Sequence, residues 1–251
     1  LGETGMSIPK IIHYCWFGGG AISPENRKCM ESWKKYCPDY KIIEWNDQNF
    51  DISTNRYAQQ AYEAKRYAFV SDYVRLAVLY EYGGIYLDTD VELVRPLDEL
   101  LELPGFMGFQ TNNEVATGLG FGARKGNSVV QALLRDYDAL DFLKADGSAD
   151  LTPCPERNTR VLQALGVRKD GTRQSIAEME IFPAEYFCPM DFYSRELRVT
   201  PKTYSIHRYA ESWKPKPSAV SRILQRLLKK HYYTWYCPLR GRIEGRLRKR
   251  T

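Results

Sequence analysis

Two carboxylates one residue apart, Asp88 and Asp90, follow a short apolar run, Ile85-Tyr86-Leu87, and an Asp and an Arg three apart, Asp72 and Arg75, precede it. In an extended backbone residues i and i+2 project to the same side, so Asp88 and Asp90 are expected to share one face with Thr89 opposite. Paired carboxylates repel unless a cation lies between them. Mn2+ or Mg2+ meets that demand as a hard, oxygen-seeking ion held by one or two carboxylates and completed by substrate phosphates. The chemistry this spacing suits is metal-assisted handling of a diphosphate. A lone Asp-x-Asp also occurs in strand-end turns, so the surrounding elements must decide.

Ala68–Tyr82 has Val70, Tyr73, Val74, Ala77, Val78 and Tyr80 at helical spacing, wide enough to face a core on more than one side. Asp72 and Arg75 share one face of that helix, and a charged pair on so apolar an element is costly unless it is satisfied or used. Gly83-Gly84 ends the helix, and the Ile85–Leu87 strand then delivers the two aspartates. Ile8–Trp16 reads as a buried first strand whose carboxyl end opens into Phe17 and Gly18–Gly20, the end of a strand at which open α/β sheets bind ligands. Neither G-x-G-x-x-G nor a Walker pattern is present in that loop. Pro24–Tyr36 and Asn55–Tyr67 read as helices and Lys41–Trp45 as a second strand, with Trp45-Asn46 at its end placed for base or ribose contact, the alternative being a capping role for Asn46 or Asp47.

The combined string S-D-Y-x-R-L…Y-x-x-G-G-x-Y-L-D-T-D closely resembles the signature of the DXD-containing sugar transferases of glycosyltransferase family 32, shared with the large clostridial glucosylating toxins. The resemblance runs with falling strength from Ile8 to about Trp213. It implies a nucleotide-sugar-dependent, anomer-retaining glycosyltransferase of GT-A type: an α/β fold with a mixed, largely parallel central sheet flanked by helices. It also implies roles. Asp90 would hold the metal and Asp88 the ribose or the metal, with His207 or Glu211 as a third ligand; Asp72 and Arg75 would orient the donor sugar, Arg75 also near the diphosphate, and Ser71 would contact the donor; Tyr86 would line the phosphate side; Ser212 and Trp213 would touch phosphate. Trp16 would stack near the base, its alternative being a core tryptophan.

Beyond the aspartates, Val91–Val94, Gly105–Gln110, Leu119–Ala123 and Glu180–Pro183 read as strands, and Val129–Phe142 and Asn158–Gly166 as helices. Lys144–Arg157 is aperiodic and rich in Asp, Gly, Ser and Pro, so it is expected to be a long loop, either a lid or a surface excursion. Six scattered cysteines show no metal spacing and are expected to be reduced thiols. Leu1–Gly5 looks like residue left by cloning, leaving 6–217 as the transferase domain and 218–251 as a basic amphipathic segment. From Arg222 onward there are ten Lys/Arg and one acid, so the whole chain's net charge of +5 is a property of this segment. Its aromatic-flanked, basic helix suits an anionic membrane surface, packing on the domain or a solvated charge run. No binding motif for nucleic acid accompanies it.

The expected protein is a metal-dependent retaining hexosyltransferase at the cytoplasmic face of a membrane. It would use a nucleotide sugar, UDP-galactose first, and a glycan or lipid-linked acceptor in surface or capsular polysaccharide synthesis. A metal-dependent nucleotide-sugar hydrolase would use the same aspartates without an acceptor, and a non-catalytic glycan or membrane binder would not need them.

Overall fold

The computed structural model describes residues 7–192 and 194–210; the start of the chain, Glu211, Ser212, Trp213 and the basic segment 218–251 lie outside the described residues. In chain order the elements are β1 (Ile11–Cys15), α1 (Pro24–Tyr36), β2 (Lys41–Trp45), α2 (Arg56–Glu63), α3 (Tyr67–Tyr82), β3 (Gly84–Tyr86), β4 (Val91–Leu93), β5 (Gly105–Phe109), β6 (Val115–Ala116) and β7 (Phe121–Ala123). They continue with α4 (Ser128–Asp138), α5 (Cys154–Ala164), β8 (Gln174–Ile176), β9 (Met179–Phe182), α6 (Ala184–Phe187) and β10 (Ser205–His207).

Seven strands follow one another across the main sheet as β2-β1-β3-β7-β5-β9-β8, with β6 beside β5. The β1–β2, β1–β3 and β5–β9 pairs are parallel, while β7 runs against both β3 and β5. Hence β1, β2, β3, β5 and β9 share one direction and β6, β7 and β8 oppose it. This is the mixed, largely parallel α/β sheet that the sequence predicts. Side-chain alternation along the strands separates two apolar clusters. Tyr86, Met107 and Ile181 join the cluster beneath α2, α3 and α4, whereas Ile85, Leu87, Phe106 and Phe182 join the one that holds Trp33 of α1 and Phe187 of α6.

Helix α3 is the pivot. Val70, Val74, Leu76, Val78 and Leu79 are buried to within 1%, and each such side chain stabilises the fold by roughly 1.5–3 kcal/mol. The helix ends as expected on Gly83, whose φ of 68° suits glycine and whose N–H reaches the Leu79 carbonyl at 2.9 Å. Gly84 then passes so close to β1 that a Cβ there would lie 2.8 Å from the Ile11 carbonyl oxygen.

Four expectations are corrected. The helix expected over Asn55–Tyr67 stops at Glu63, because Lys65 takes a φ of 56° and the chain turns before α3 begins. The long loop ends at Cys154 rather than Arg157, since Pro155 sits in the first turn of α5, where its missing N–H costs nothing. The Asp-x-Asp segment is a turn, closed by Val91 N–H on the Asp88 carbonyl at 3.0 Å, and not extended strand. Trp45 is not a base contact: its ring is 9% exposed, stacked on His13 and Tyr82, and its Nε1 donates to His13 Nδ1 at 3.0 Å.

Candidate active site

The Asp88–Asp90 turn is anchored to α1 by two side chains. Asn26 Nδ2 donates to Thr89 Oγ1 at 2.9 Å, and Trp33 Nε1 donates to the Val91 carbonyl at 2.7 Å, both within the buried interior. On the opposite side the Asp88 N–H reaches the Gly118 carbonyl at 3.1 Å, and a Cβ on Gly118 would stand 1.9 Å from Asp88 Oδ2. A side chain at position 118 would therefore displace the carboxylate.

Strand β10 pairs antiparallel with β4 and sets His207 opposite Val91. One ligand atom from each of Asp88, Asp90 and His207 lies within 4.8 Å of the others. The turn thus converges the two carboxylates that the i, i+2 argument assigned to an extended strand. His207 Nε2 is 3.2 Å from Asp90 Oδ1, and Asp90 Oδ2 accepts from the Ala210 N–H at 2.8 Å. Burial opposes charge on both partners, but each favours the other's charged form, so the Asp90 carboxyl titrates below its ordinary range and the His207 imidazole above its own. The site is built to hold positive charge. His207 Nδ1 is buried without a partner among the described residues, and two carboxylates plus an imidazole form a donor set that suits Mn2+ better than Mg2+. These residues fit a divalent ion.

A second charged group adjoins the first. Arg75 Nη2 lies 3.0 Å from Asp72 Oδ1 and 3.2 Å from Asp88 Oδ1, its side chain only 7% exposed. Its guanidinium sits over the Tyr86 ring at 4.8 Å, and Tyr86 donates its hydroxyl to Asp88 Oδ1 at 3.1 Å. Burial pushes the Asp72 carboxyl up to about 6, against the pull of Arg75. Ser71 faces back into α3, donating to the Tyr67 carbonyl at 3.1 Å, while its own carbonyl accepts from Arg75 Nε at 3.1 Å. Trp16 is half-buried at the carboxyl end of β1, with its Nε1–H on the Gly20 carbonyl.

Residues 23–106 match the family model described as a glycosyltransferase sugar-binding region containing the DXD motif. The chain carries a DXD glycosyltransferase sugar-binding region. It is 30% identical over 151 residues to inositol phosphoceramide mannosyltransferase 3 of Schizosaccharomyces pombe, which covers 54% of this chain and 39% of that protein. It is 28% identical over 148 residues to human alpha-1,4-N-acetylglucosaminyltransferase, covering 59% of this chain and 38% of the relative. With subversion of eukaryotic traffic protein A of Legionella pneumophila it shares 26% over 204 residues, 65% of this chain and 31% of that one. Each of these alignments spans less than half of the relative. Among solved structures, the PaToxG glycosyltransferase aligns at 21% identity and TM-score 0.46, over 63% of this chain and 70% of its own.

Within the matched residues, Asp72, Arg75, Tyr86, Asp88 and Asp90 gather as one connected set, Ser71 meets it only through its backbone carbonyl, and His207 joins it from outside the matched residues. Sequence reasoning missed Asn26, Trp33 and Gly118. A buried Asn near the start of an amphipathic helix and a glycine in a T-G-L-G-F-G run were the available signals, and both only acquire meaning once β3 and the residues 117–119 are seen side by side.

Proposed function

We propose that this protein transfers a hexose from a nucleotide sugar to a hydroxyl of a glycan or glycolipid acceptor, with retention of anomeric configuration. The observation that carries the reading is the convergence of Asp88, Asp90 and His207 beside the buried Asp72–Arg75 pair. It supports a site with one half for a diphosphate and one for a sugar. Asp88, Asp90 and His207 would hold Mn2+. Bound there, the ion would neutralise charge on the diphosphate leaving group.

The chain's own side chains supply the rest. Arg75 is a fixed cation between the two halves, held by Asp72 and Asp88 so that no reorganisation is needed as negative charge develops on the donor phosphate. Asp72 accepts from donor-sugar hydroxyls with the carboxylate capacity that Arg75 leaves open. Tyr86 acts through Asp88 and Arg75 instead of touching the phosphates itself, because it is 1% exposed. No described side chain stands out as a nucleophile for double displacement, which favours substitution on the face of the departing diphosphate, a phosphate oxygen taking the acceptor proton.

The names of the mannosyl- and N-acetylglucosaminyltransferase relatives make mannose and N-acetylglucosamine donors to try beside galactose, and the ceramide-linked name of one relative supports a glycolipid acceptor. The test is a panel of nucleotide sugars with Mn2+ and glycolipid or oligosaccharide acceptors, followed by proton NMR of the product. One donor giving an acceptor-dependent product with the donor's own anomeric configuration supports the proposal. Equal donor cleavage with and without acceptor would identify a hydrolase.

A further inference from the structure

Strand β10 stops pairing at His207, opposite Val91, yet the chain stays on the site for three more residues. The Arg208 N–H reaches the Asp90 carbonyl at 2.9 Å, and the Ala210 N–H reaches Asp90 Oδ2 at 2.8 Å. In a continuing strand those two N–H groups would stand roughly 6–7 Å apart and serve different partners. Tyr209, between them, takes a φ of 50°, a left-handed conformation that is uncommon for a bulky residue, and the turn brings both donors onto Asp90. Such a conformation persists where its surroundings over-determine it, and it gathers at ligand clamps.

Those surroundings hold Tyr209 from two sides. Arg208 Nε donates to Glu92 Oε2 at 2.8 Å, tying the segment to β4. The Tyr209 hydroxyl lies 2.9 Å from Sγ of Cys188, a fully buried residue at the end of α6, and its ring meets Phe192 edge to face at 5.0 Å. The same ring packs on the His207 imidazole, the two centres 4.2 Å apart and the planes tilted by 50°. A metal-ligating histidine is ordinarily oriented by a hydrogen bond from its second ring nitrogen to a carboxylate or carbonyl. His207 turns Nε2 toward Asp90 Oδ1, 3.2 Å away, and its Nδ1 is buried with no partner among the described residues. Packing against Tyr209 stands where that hydrogen bond would be.

We propose that Tyr209 is a positioning residue for the third ligand: its ring, fixed by the left-handed turn and the Cys188 anchor, holds the His207 imidazole facing Asp88 and Asp90. The proposal rests on the reading of Asp88, Asp90 and His207 as a divalent-ion site. Without the ring the imidazole is free to rotate about its side-chain bonds, and the ion is held less tightly. The Asp72–Arg75 pair is built on α3 and does not depend on this contact.

The experiment compares wild type with Tyr209→Leu, Tyr209→Phe and Tyr209→Gly in the full chain. It reads, by calorimetry, the affinity for uridine or guanosine diphosphate, whichever binds, without and with Mn2+. Tyr209→Leu should lose most of the gain that Mn2+ confers, about fivefold to tenfold, while affinity without metal stays within about twofold. Tyr209→Phe keeps the ring and should hold the Mn2+ gain within about threefold of wild type. Tyr209→Gly favours the same turn but has no ring, so it should lose as much as Tyr209→Leu. A full Mn2+ gain in Tyr209→Leu, an equal loss in Tyr209→Phe, or a matching loss of metal-free affinity overturns the positioning role and leaves the metal site standing. If Tyr209→Leu does not fold, Tyr209→Gly decides alone: a wild-type Mn2+ gain there overturns the proposal. A wild type whose diphosphate affinity is indifferent to Mn2+ overturns the metal-site reading and this proposal together.

Discussion

At the scale of single residues, Asp90 and Arg75 each serve two neighbours, and that sets the cost of changing them. Asp90→Asn keeps the shape but removes the charge that His207 and a divalent ion both require, so turnover should fall about 100-fold or more with the fold intact, read as initial rates beside far-UV circular dichroism. Arg75→Lys should also be severe. One ammonium cannot reproduce a guanidinium spanning Asp72 and Asp88, and kcat/KM for the nucleotide sugar should drop about 10- to 100-fold. His13 gives a pH prediction away from the site. It is fully buried, with Nδ1 accepting from Trp45 and Nε2–H donating to the Gly83 carbonyl at 2.9 Å, and burial pushes its pKa down to about 4. The unfolded chain binds that proton near pH 6.5, so this contribution is complete above pH 6.5 and is lost as pH falls toward 4, by up to about 3 kcal/mol. Urea melts from pH 7 to pH 4.5 should show a steeper decline in wild type than in His13→Gln. Parallel declines would contradict the assignment.

At the scale of elements, the site is a turn clamped between α1 and the segment that enters β7. Trp33→Phe leaves the buried Val91 carbonyl without its donor and should cost about 1–3 kcal/mol in urea denaturation. Gly118→Ala acts differently. Its methyl displaces Asp88, so activity should be lost in a protein that still melts cooperatively; full activity would show that the turn adapts. These clamps explain what was legible in the sequence. Helix α1 over Pro24–Tyr36 and strand β2 over Lys41–Trp45 match their periodicity, because proline, caps and apolar spacing are local signals. The short strands β6, β8 and β10 carry two or three residues each and form only where a distant partner offers its edge, so no local pattern announced them. The Asp-x-Asp turn was misread as strand for the same reason: Asn26 and Gly118, far apart in the chain, bend it.

At the scale of the whole molecule, the candidate site gathers from the continuous stretch of α3 and the β3–β4 turn and from β10, far along the chain. The Asp72–Arg75 pair and the two aspartates were legible because they sit on one continuous stretch, and His207 entered through family resemblance alone. No helix among the described residues is long and apolar enough to cross a membrane. The most direct test of the central claim is calorimetric binding of nucleoside diphosphates to wild type and Asp90→Asn, each with and without Mn2+. The site described here predicts at least about tenfold tighter binding with Mn2+ in wild type and no such gain in Asp90→Asn. Binding that is indifferent both to the ion and to Asp90 would contradict it, and would return the two aspartates to the role of turn residues.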